Sequence, residues 1–266
     1  MQRAVFSYFT ILLISLLLVG CQDDKDSVDA PADVEFSEYV PSDIQLSYEA
    51  YATKVDADTT LRRGNSLYYS REDGATMEVF IHVNDKDETV KIEEIYSNKG
   101  SVSLCSNTFY FKNGKKYISK ELFEVGDAAS GHFVERISYY NEKEAPIETL
   151  ERKAEFEDQL EFEEFKTAKK HDCSTERAFM VLNQEGEFAT TFQGFISEEP
   201  YLYLIVGENE KSGFTSSLVV QYIDQTIQKL QTYEKEMIGK GIQVEFETLS
   251  GNQGYEYQIL LSTRLR

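Results

Sequence analysis

The chain has 266 residues and a formal net charge of −20. This length is enough for one large domain or two small domains. The excess of acidic residues excludes nucleic acid as a partner, because phosphate binding requires an excess of Lys and Arg. An envelope protein or another cationic partner fits the charge, and an acidic exported protein with no specific partner is the alternative. Phe and Tyr are abundant, at 17 each, which favours β-strands and predicts a mainly β protein.

The N-terminal residues 1–20 have the features of a secretory signal peptide. Arg3 supplies a positive charge, an apolar run follows, and the run ends in Leu18-Val19-Gly20-Cys21. These four residues resemble the lipobox of bacterial lipoproteins. The resemblance implies signal cleavage after Gly20, attachment of acyl chains such as palmitate to Cys21, and stable anchoring in a membrane. An uncleaved anchor and a signal peptide with an incidental cysteine are the alternatives.

Residues 21–43 form an acidic segment that we expect to be a flexible tether. Its first part, Gln22-Asp23-Asp24-Lys25-Asp26, contains no apolar side chain that a core could bury. Gln22 directly after the cysteine resembles the sorting signal of Gram-negative lipoproteins that reach the outer membrane. The acidic residues resemble a surface-export signal of some such lipoproteins, with a plain solvated spacer as the alternative. The sequence therefore predicts an outer-membrane lipoprotein and leaves surface exposure open.

Residues 44–173 are predicted to form a β-meander domain. The first segment, 44–55, mixes periods of two and four residues, so a strand and a helix are both open. Strict alternation of apolar and polar residues follows over 77–83, which is typical of a half-buried strand. Asp73-Gly74 and Asn113-Gly114 between such segments predict tight hairpin turns, because these residues accept the positive φ that the turns need.

One hairpin of this domain resembles a known type of repeat. Tyr110-Phe111-Lys112-Asn113-Gly114-Lys115 is similar to the Tyr-Phe-x-Asn-Gly-Lys units of bacterial β-meander repeat proteins, some of which belong to toxin-immunity systems. The aromatic pairs at 68–69, 110–111 and 139–140 are irregularly spaced, whereas repeat arrays keep a fixed period. The resemblance therefore implies a meander architecture and not an immunity function.

The end of this domain, Glu151–Lys170, is densely charged. Its apolar residues approximate helical spacing, and we expect the end of a strand that passes into a short amphipathic helix. The carboxylates lack the turn geometry and the ligand spacing of a calcium loop. They are therefore predicted to form a solvated face and not a cation site.

Residues 174–266 are predicted to form a second β domain. Strands are expected at Ala178–Leu182, Glu187–Ile196, Tyr201–Val206, Ser216–Tyr222, Ile242–Leu249 and Tyr255–Leu265. A helix that Asp224 caps and Gly239 ends is expected between the fourth and fifth of these strands. This order of elements resembles an OB-fold, a small β-barrel with one helix. The acidic balance of the segment argues against the nucleic-acid binding that needs a basic groove.

The cysteines that follow Cys21 are the remaining candidate site residues. Cys105 lies in a predicted strand and Cys173 lies close to His171, and the two cysteines form either a disulfide or two free thiols. His171 and Cys173 could bind a metal, but structural zinc sites need four ligands, so no metal site is predicted. The chain has no motif for a catalytic nucleophile or a nucleotide, so no catalytic residue and no cofactor are predicted.

These observations predict a lipid-anchored cell-envelope protein with a non-enzymatic binding or structural role. No motif specifies the ligand. One alternative is an envelope hydrolase that uses carboxylates in a cleft between the two domains, which would need carboxylates about 5–10 Å apart. The other alternative is an immunity or inhibitor protein for a cationic toxin.

Overall fold

The computed structural model describes residues 41–101, 103–126, 131–210, 212–250 and 256–266. These residues belong to one compact unit of the chain. The predicted signal peptide, the lipobox with Gly20 and Cys21, and most of the predicted tether lie outside the described residues. Among the described helices, none is long and apolar enough to span a membrane.

The prediction of a mainly β protein is confirmed. The strands are β1 Arg62–Asn65, β2 Tyr69–Ser70, β3 Thr76–Val83, β4 Thr89–Ser97, β5 Leu104–Lys112, β6 Lys115–Val125, β7 His132–Tyr140, β8 Pro146–Ala154, β9 Lys166–Thr167, β10 Thr191–Glu198, β11 Tyr201–Gly207, β12 Thr215–Val219, β13 Ile242–Ser250 and β14 Glu256–Leu265. The α-helices are α1 Asp43–Asp56, α2 Glu176–Asn183, α3 Gln225–Thr232 and α4 Glu234–Met237, and 3₁₀ helices lie at Glu157–Phe162 and Gly186–Phe188.

The 14 strands form one mixed sheet, which is not closed within the described residues. Its order is β10-β11-β12-β2-β3-β4-β5-β6-β7-β8-β9, with β1 paired to β3 and with β14 paired to both β12 and β13. The strands from β3 to β8 are consecutive antiparallel neighbours, as expected for a meander. In the turn between β5 and β6, Asn113 and Gly114 have φ values of 54° and 72°, which is the conformation that the Asn-Gly pair predicted.

The two ends of this sheet are covered in different ways. At one end, β9 has two residues and pairs with β8. At the other end, the outer edge of β10 bonds to the chain before β13: the Phe192 amide donates to the Lys240 carbonyl, 2.9 Å, and the Gly239 amide donates to the Phe192 carbonyl, 2.8 Å.

Two hydrophobic cores lie on opposite faces of the meander, because successive residues of a strand point to opposite sides. Phe109 belongs to the larger core, which α2 and the C-terminal strands complete, whereas its neighbour Tyr110 belongs to the core beneath α1. Tyr48, Ala52 and Val55 supply the buried side of α1, with helical spacing. The segment 44–55, for which a strand and a helix were both open, is therefore helical.

The prediction of a strand at Ala178–Leu182 is wrong, since these residues lie in α2. The apolar run Phe179-Met180-Val181-Leu182 has strand-like composition, but the fully buried residues are Ala178 and Val181, at i and i+3. That spacing places both side chains on one helix face. The next predicted strand, Glu187–Ile196, begins only at Thr191, after the 3₁₀ helix at Gly186–Phe188.

The later C-terminal elements follow the predicted order of three strands, a helix and two strands. The Asp224 carboxylate accepts a hydrogen bond from the Ile227 amide, 2.8 Å, and caps α3 as expected. The segment nevertheless contains α2, α3 and α4 and not one helix, and its strands continue the open sheet of the meander through β12 and β2. The separate closed barrel of the prediction is therefore not formed by the described residues, while the OB-fold resemblance and the domain boundary after residue 173 stay predictions.

Candidate functional site

The larger-core face of the meander includes a row of buried polar side chains. Along this row, Glu94 on β4 is opposite Asn107 on β5, and Asn107 is opposite Glu121 on β6. The row continues through Ser119 on β6, Ser138 on β7 and Thr149 on β8, which are also in register and buried. Buried polar groups are costly unless they are hydrogen-bonded, so the partners of this row define what it can do.

The segment 168–175 covers this row and is held to it by hydrogen bonds. The His171 amide donates to the Thr149 hydroxyl, 3.0 Å, and the Cys173 amide donates to the Tyr140 hydroxyl, 3.0 Å. Lys116 on β6 donates to the Asp172 carboxylate and to the Cys173 carbonyl. These contacts place the side chains of His171 and Cys173 above the middle of β6.

Glu94 is the most deeply buried charge of the row, and it is fully compensated. Its carboxylate accepts a hydrogen bond from the Asn107 amide group, 2.6 Å, and another from the Arg177 guanidinium on α2, 2.8 Å. The guanidinium also lies 4.3 Å from the centre of the Tyr96 ring. Burial opposes the charge of Arg177, but the hydrogen bond and charge of Glu94 outweigh it and raise the pKa of Arg177.

Glu121 is buried without comparable compensation. The nearby Arg136 guanidinium donates two hydrogen bonds to Glu151, at 3.0 and 2.8 Å, and approaches Glu121 Oε2 only to 3.7 Å. His171 Nε2 lies 3.3 Å from the same oxygen. Glu121 Oε2 is fully buried, and no group among the described residues makes a hydrogen bond of good geometry to it. A buried carboxylate oxygen in this condition favours a positively charged partner.

The side chains of Glu121, His171 and Cys173 converge at this point. One ligand-type atom of each, a carboxylate oxygen, an imidazole nitrogen and a sulfur, lies within 4.8 Å of the other two. Burial raises the pKa of the Cys173 thiol, the negative charges of Glu121 and Glu94 raise it further, and Lys116 offsets part of this effect. The thiol is therefore protonated at neutral pH, which is the opposite of what a cysteine nucleophile needs.

The other predicted site residues lie apart from this cluster. Cys105 is buried on β5, and both Cys105 and Cys173 are free thiols, so the disulfide alternative is not realised in the structure. His82 also lies outside the cluster, and its Nε2 lies 2.7 Å from a Glu93 carboxylate oxygen. The sequence pattern indicates His171 and Cys173 as a pair that could bind a metal, although no metal site was predicted from it. It does not indicate Glu121, because Glu121 is one of many acids in an alternating strand and is far from the pair in sequence.

A second feature is an acidic cavity on the other face of the meander. Its volume is about 500 Å³, and it lies beside the 3₁₀ helix Glu157–Phe162, in the part of the chain predicted to be a short helix. The ionisable residues of this face that line it are Lys120, Glu135, Arg152, Glu157, Asp158 and Glu161. Arg152 is already bonded to Glu135, 2.6 Å, so acidic groups outnumber free cationic groups in this cavity.

Comparisons of the chain with protein-family models, with curated proteins and with solved structures gave no match. Three features of the chain bear on its function: the N-terminal motif with Cys21, the polar cluster at Glu121, and the acidic cavity on the other face of the meander.

Proposed function

We propose that this protein is a lipid-anchored component of the Gram-negative outer membrane with a non-enzymatic binding or structural role. The observation that carries the proposal is the motif Leu18-Val19-Gly20-Cys21 at the end of an apolar segment. Two types of acyl attachment at one cysteine give stable anchoring, whereas a single chain binds a membrane only marginally. Gln22 and the acids after it favour the outer membrane and are compatible with the cell surface.

The charge of the protein supports a cationic partner. The formal net charge is −20, and the cavity beside Glu157–Phe162 has more acidic than cationic groups in its lining. A basic protein segment would be attracted to such a surface from a distance. An immunity or inhibitor protein for a cationic toxin is one form of this binding role.

The buried cluster supports a non-catalytic role over the alternative of a hydrolase. The carboxylates of Glu94 and Glu151 are already bonded to Arg177 and Arg136. A general acid or base must exchange its proton with substrate, which a carboxylate committed to a buried ion pair does poorly, and Glu121, which lacks such a pair, is only 8% exposed.

Replacement of the lipidation residue tests the proposal. We expect Cys21→Ser to abolish incorporation of radiolabelled palmitate and to move the protein from the membrane fraction to the soluble fraction, because the acyl chains have no thiol for attachment. Cys105→Ser is the matched control, since it removes a thiol that is buried in the structure, and it should leave labelling and fractionation unchanged.

Unchanged palmitate labelling and membrane fractionation of Cys21→Ser would contradict the anchor at this residue. Protease treatment of intact cells then separates the two faces of the outer membrane. Digestion of the wild-type protein in intact cells is the result expected for surface exposure, whereas protection until the cells are lysed would place the protein on the periplasmic face.

A further inference from the structure

We propose that Glu121, His171 and Cys173 form a binding site for a divalent transition-metal ion, with Zn²⁺ as the ion that fits best. Thiolate, imidazole and carboxylate are the three ligand types that zinc uses in proteins. A soft thiolate ligand disfavours Mg²⁺ and Ca²⁺, which prefer oxygen ligands. The site goes beyond the proposed function, because it does not depend on a membrane anchor.

The positions of the three residues suit a shared ion. Glu121 is fixed on β6, in the middle of the sheet, and His171 and Cys173 are fixed on the segment 168–175 by their own backbone hydrogen bonds. Their ligand atoms lie within 4.8 Å of one another. Around a tetrahedral zinc ion, neighbouring ligand atoms are about 3.3–3.8 Å apart, so small side-chain rotations are enough to bind the ion.

The second observation is the state of Glu121. The residue is 8% exposed, and its Oε2 has no hydrogen-bond partner among the described residues. Arg136, the nearest permanent cation, is engaged by Glu151 at 2.8 Å and is 3.7 Å from Glu121. A metal ion beside Oε2 would supply the missing positive charge, as buried carboxylates require.

The charge balance of the filled site is neutral. Zinc binding displaces the proton of the Cys173 thiol to solvent, so that a thiolate and the Glu121 carboxylate together offset the two positive charges of the ion. Neutral His171 is the third ligand through its imidazole nitrogen. Its side chain is 40% exposed, so the fourth coordination position opens toward water on that side.

The bound ion would join two distant parts of the chain. Glu121 belongs to the meander, whereas His171 and Cys173 belong to the segment that leads into α2. Metal binding therefore stabilises the contact between this segment and the sheet, and it raises the free energy of unfolding in proportion to the affinity and the free metal concentration.

The test is metal titration of the full-length lipidated protein in detergent after removal of metals with a chelator. Co²⁺ is the spectroscopic probe, because a thiolate ligand gives it a charge-transfer absorption that Zn²⁺ then removes by competition. We expect a single equivalent of Co²⁺ with this absorption. Cys173→Ser should abolish the charge-transfer band, and His171→Asn and Glu121→Gln should weaken binding at least about ten-fold, since loss of even an outer-shell partner costs that much.

Cys105→Ser and His132→Asn are the matched controls, since each removes the same ligand type elsewhere in the described structure, and both should bind as the wild type does. No Co²⁺ uptake by the wild type, or equal uptake by all three site variants, would overturn the proposal. His171 is partly exposed, so His171→Asn gives a decisive result even if the buried variants fail to fold. Cys21→Ser should keep full metal binding, which separates failure of this site from failure of the anchor.

Discussion

The buried charges of the polar cluster differ in how far their partners compensate them. Glu94 has two close donors, Asn107 and Arg177, whereas Glu121 has contacts at 3.3 and 3.7 Å without hydrogen-bond geometry. A paired buried charge is tolerated, and an unpaired one is costly. The cluster therefore contains one carboxylate with a structural role and one that is available to a ligand.

The Glu94–Arg177 pair gives a prediction at the residue scale. Arg177→Met should lower the free energy of unfolding by about 3 kcal/mol, because it leaves a buried carboxylate without its cation. Urea denaturation measures the change. The double variant Arg177→Met with Glu94→Gln should recover much of the loss, since the uncompensated charge is then removed.

An exposed ion pair is the control for that prediction. Arg62 and Asp87 pair at the surface, with side chains 61% and 80% exposed, and Arg62→Met should cost less than about 1 kcal/mol. If Arg62→Met and Arg177→Met lower the free energy of unfolding equally, removing the cation beside the buried Glu94 carboxylate costs no more than breaking an exposed pair, and the prediction is wrong.

The sequence shows which residues could act as metal ligands, but it does not show which of them come close together in the folded chain. His171 and Cys173 stand out because both are rare in this chain and are close together. Glu121 does not stand out among 47 acidic residues, and only the register of β5 with β6 brings it to the pair. A long-range contact of this kind depends on strand pairing, which local sequence does not specify.

The helix α1 forms from a segment whose apolar residues mix periods of two and four, and hydrogen bonds at its N-terminus stabilise the helical form. Ser42 and Gln45 form a capping box: the Ser42 hydroxyl accepts from the Gln45 amide, 3.2 Å, and the Gln45 side chain accepts from the Ser42 amide, 2.7 Å. The Tyr48 hydroxyl then donates to the Tyr140 carbonyl of β7, 2.7 Å, which joins the helix to the meander.

Loss of the cap should weaken the whole fold. We expect Ser42→Ala to lower the free energy of unfolding by about 1 kcal/mol, as is usual for loss of an N-cap side chain. Ser47→Ala is the matched control, because Ser47 is exposed on the same helix and bonds only to Ile44. It should be neutral or stabilising by about 0.5 kcal/mol, since alanine has the higher helix propensity. A larger loss for Ser47→Ala than for Ser42→Ala would contradict the role of the cap.

The predicted strands are correct where apolar and polar residues alternate over a long segment. The predicted strand at Ala178–Leu182, which rested on a short apolar run, is wrong. The strands from β3 to β8 have alternating patterns, with an Asp-Gly turn before β3 and an Asn-Gly turn between β5 and β6, and the structure has them in the predicted order. The run at 179–182 has four apolar residues, a length at which a buried strand and one face of a short helix have the same pattern. Packing of α2 against β3 and β4 decides between them.

At the scale of the whole molecule, buried tyrosines in both cores predict a loss of stability at alkaline pH. Tyr69 in the larger core donates its hydroxyl to the Phe188 carbonyl, and Tyr110 beneath α1 donates to Asp56, both at 2.8 Å. Burial raises the pKa of both hydroxyls, and the Asp56 carboxylate raises that of Tyr110 further. Below about pH 10, the folded and unfolded states are both protonated, and the stability from these groups is complete.

Above about pH 10, the unfolded state loses tyrosine protons that the folded state keeps, so the free energy of unfolding falls by about 1.4 kcal/mol per pH unit for each such group. Tyr110→Phe should make this slope shallower by that amount, although it lowers stability at neutral pH by about 1 kcal/mol through loss of the hydrogen bond to Asp56. Tyr222→Phe is the control, since Tyr222 is 78% exposed. Denaturant unfolding at several pH values measures the slopes, and an unchanged slope for Tyr110→Phe would contradict the argument.

The overall composition predicted the fold class, but not the continuity of the sheet. Strands on either side of residue 173 meet through the pairing of Thr215 with Ser70, and buried residues from both sides share the larger core. Changes in the residue pattern along the sequence suggest two domains with a boundary after residue 173. Pairing between strands on either side of this boundary depends on tertiary packing, which the residue pattern does not specify.

The two ends of the open sheet have a consequence for how one copy of the protein meets another. A free strand edge is a template to which a strand of a neighbouring molecule can add, and such addition leads to aggregation. At one end the edge strand β9 has only two residues, Lys166 and Thr167, and at the other the backbone of Phe192 on β10 is already bonded to Gly239 and Lys240. Strand addition by a neighbouring copy is therefore disfavoured at these two positions, although the sheet is not closed within the described residues.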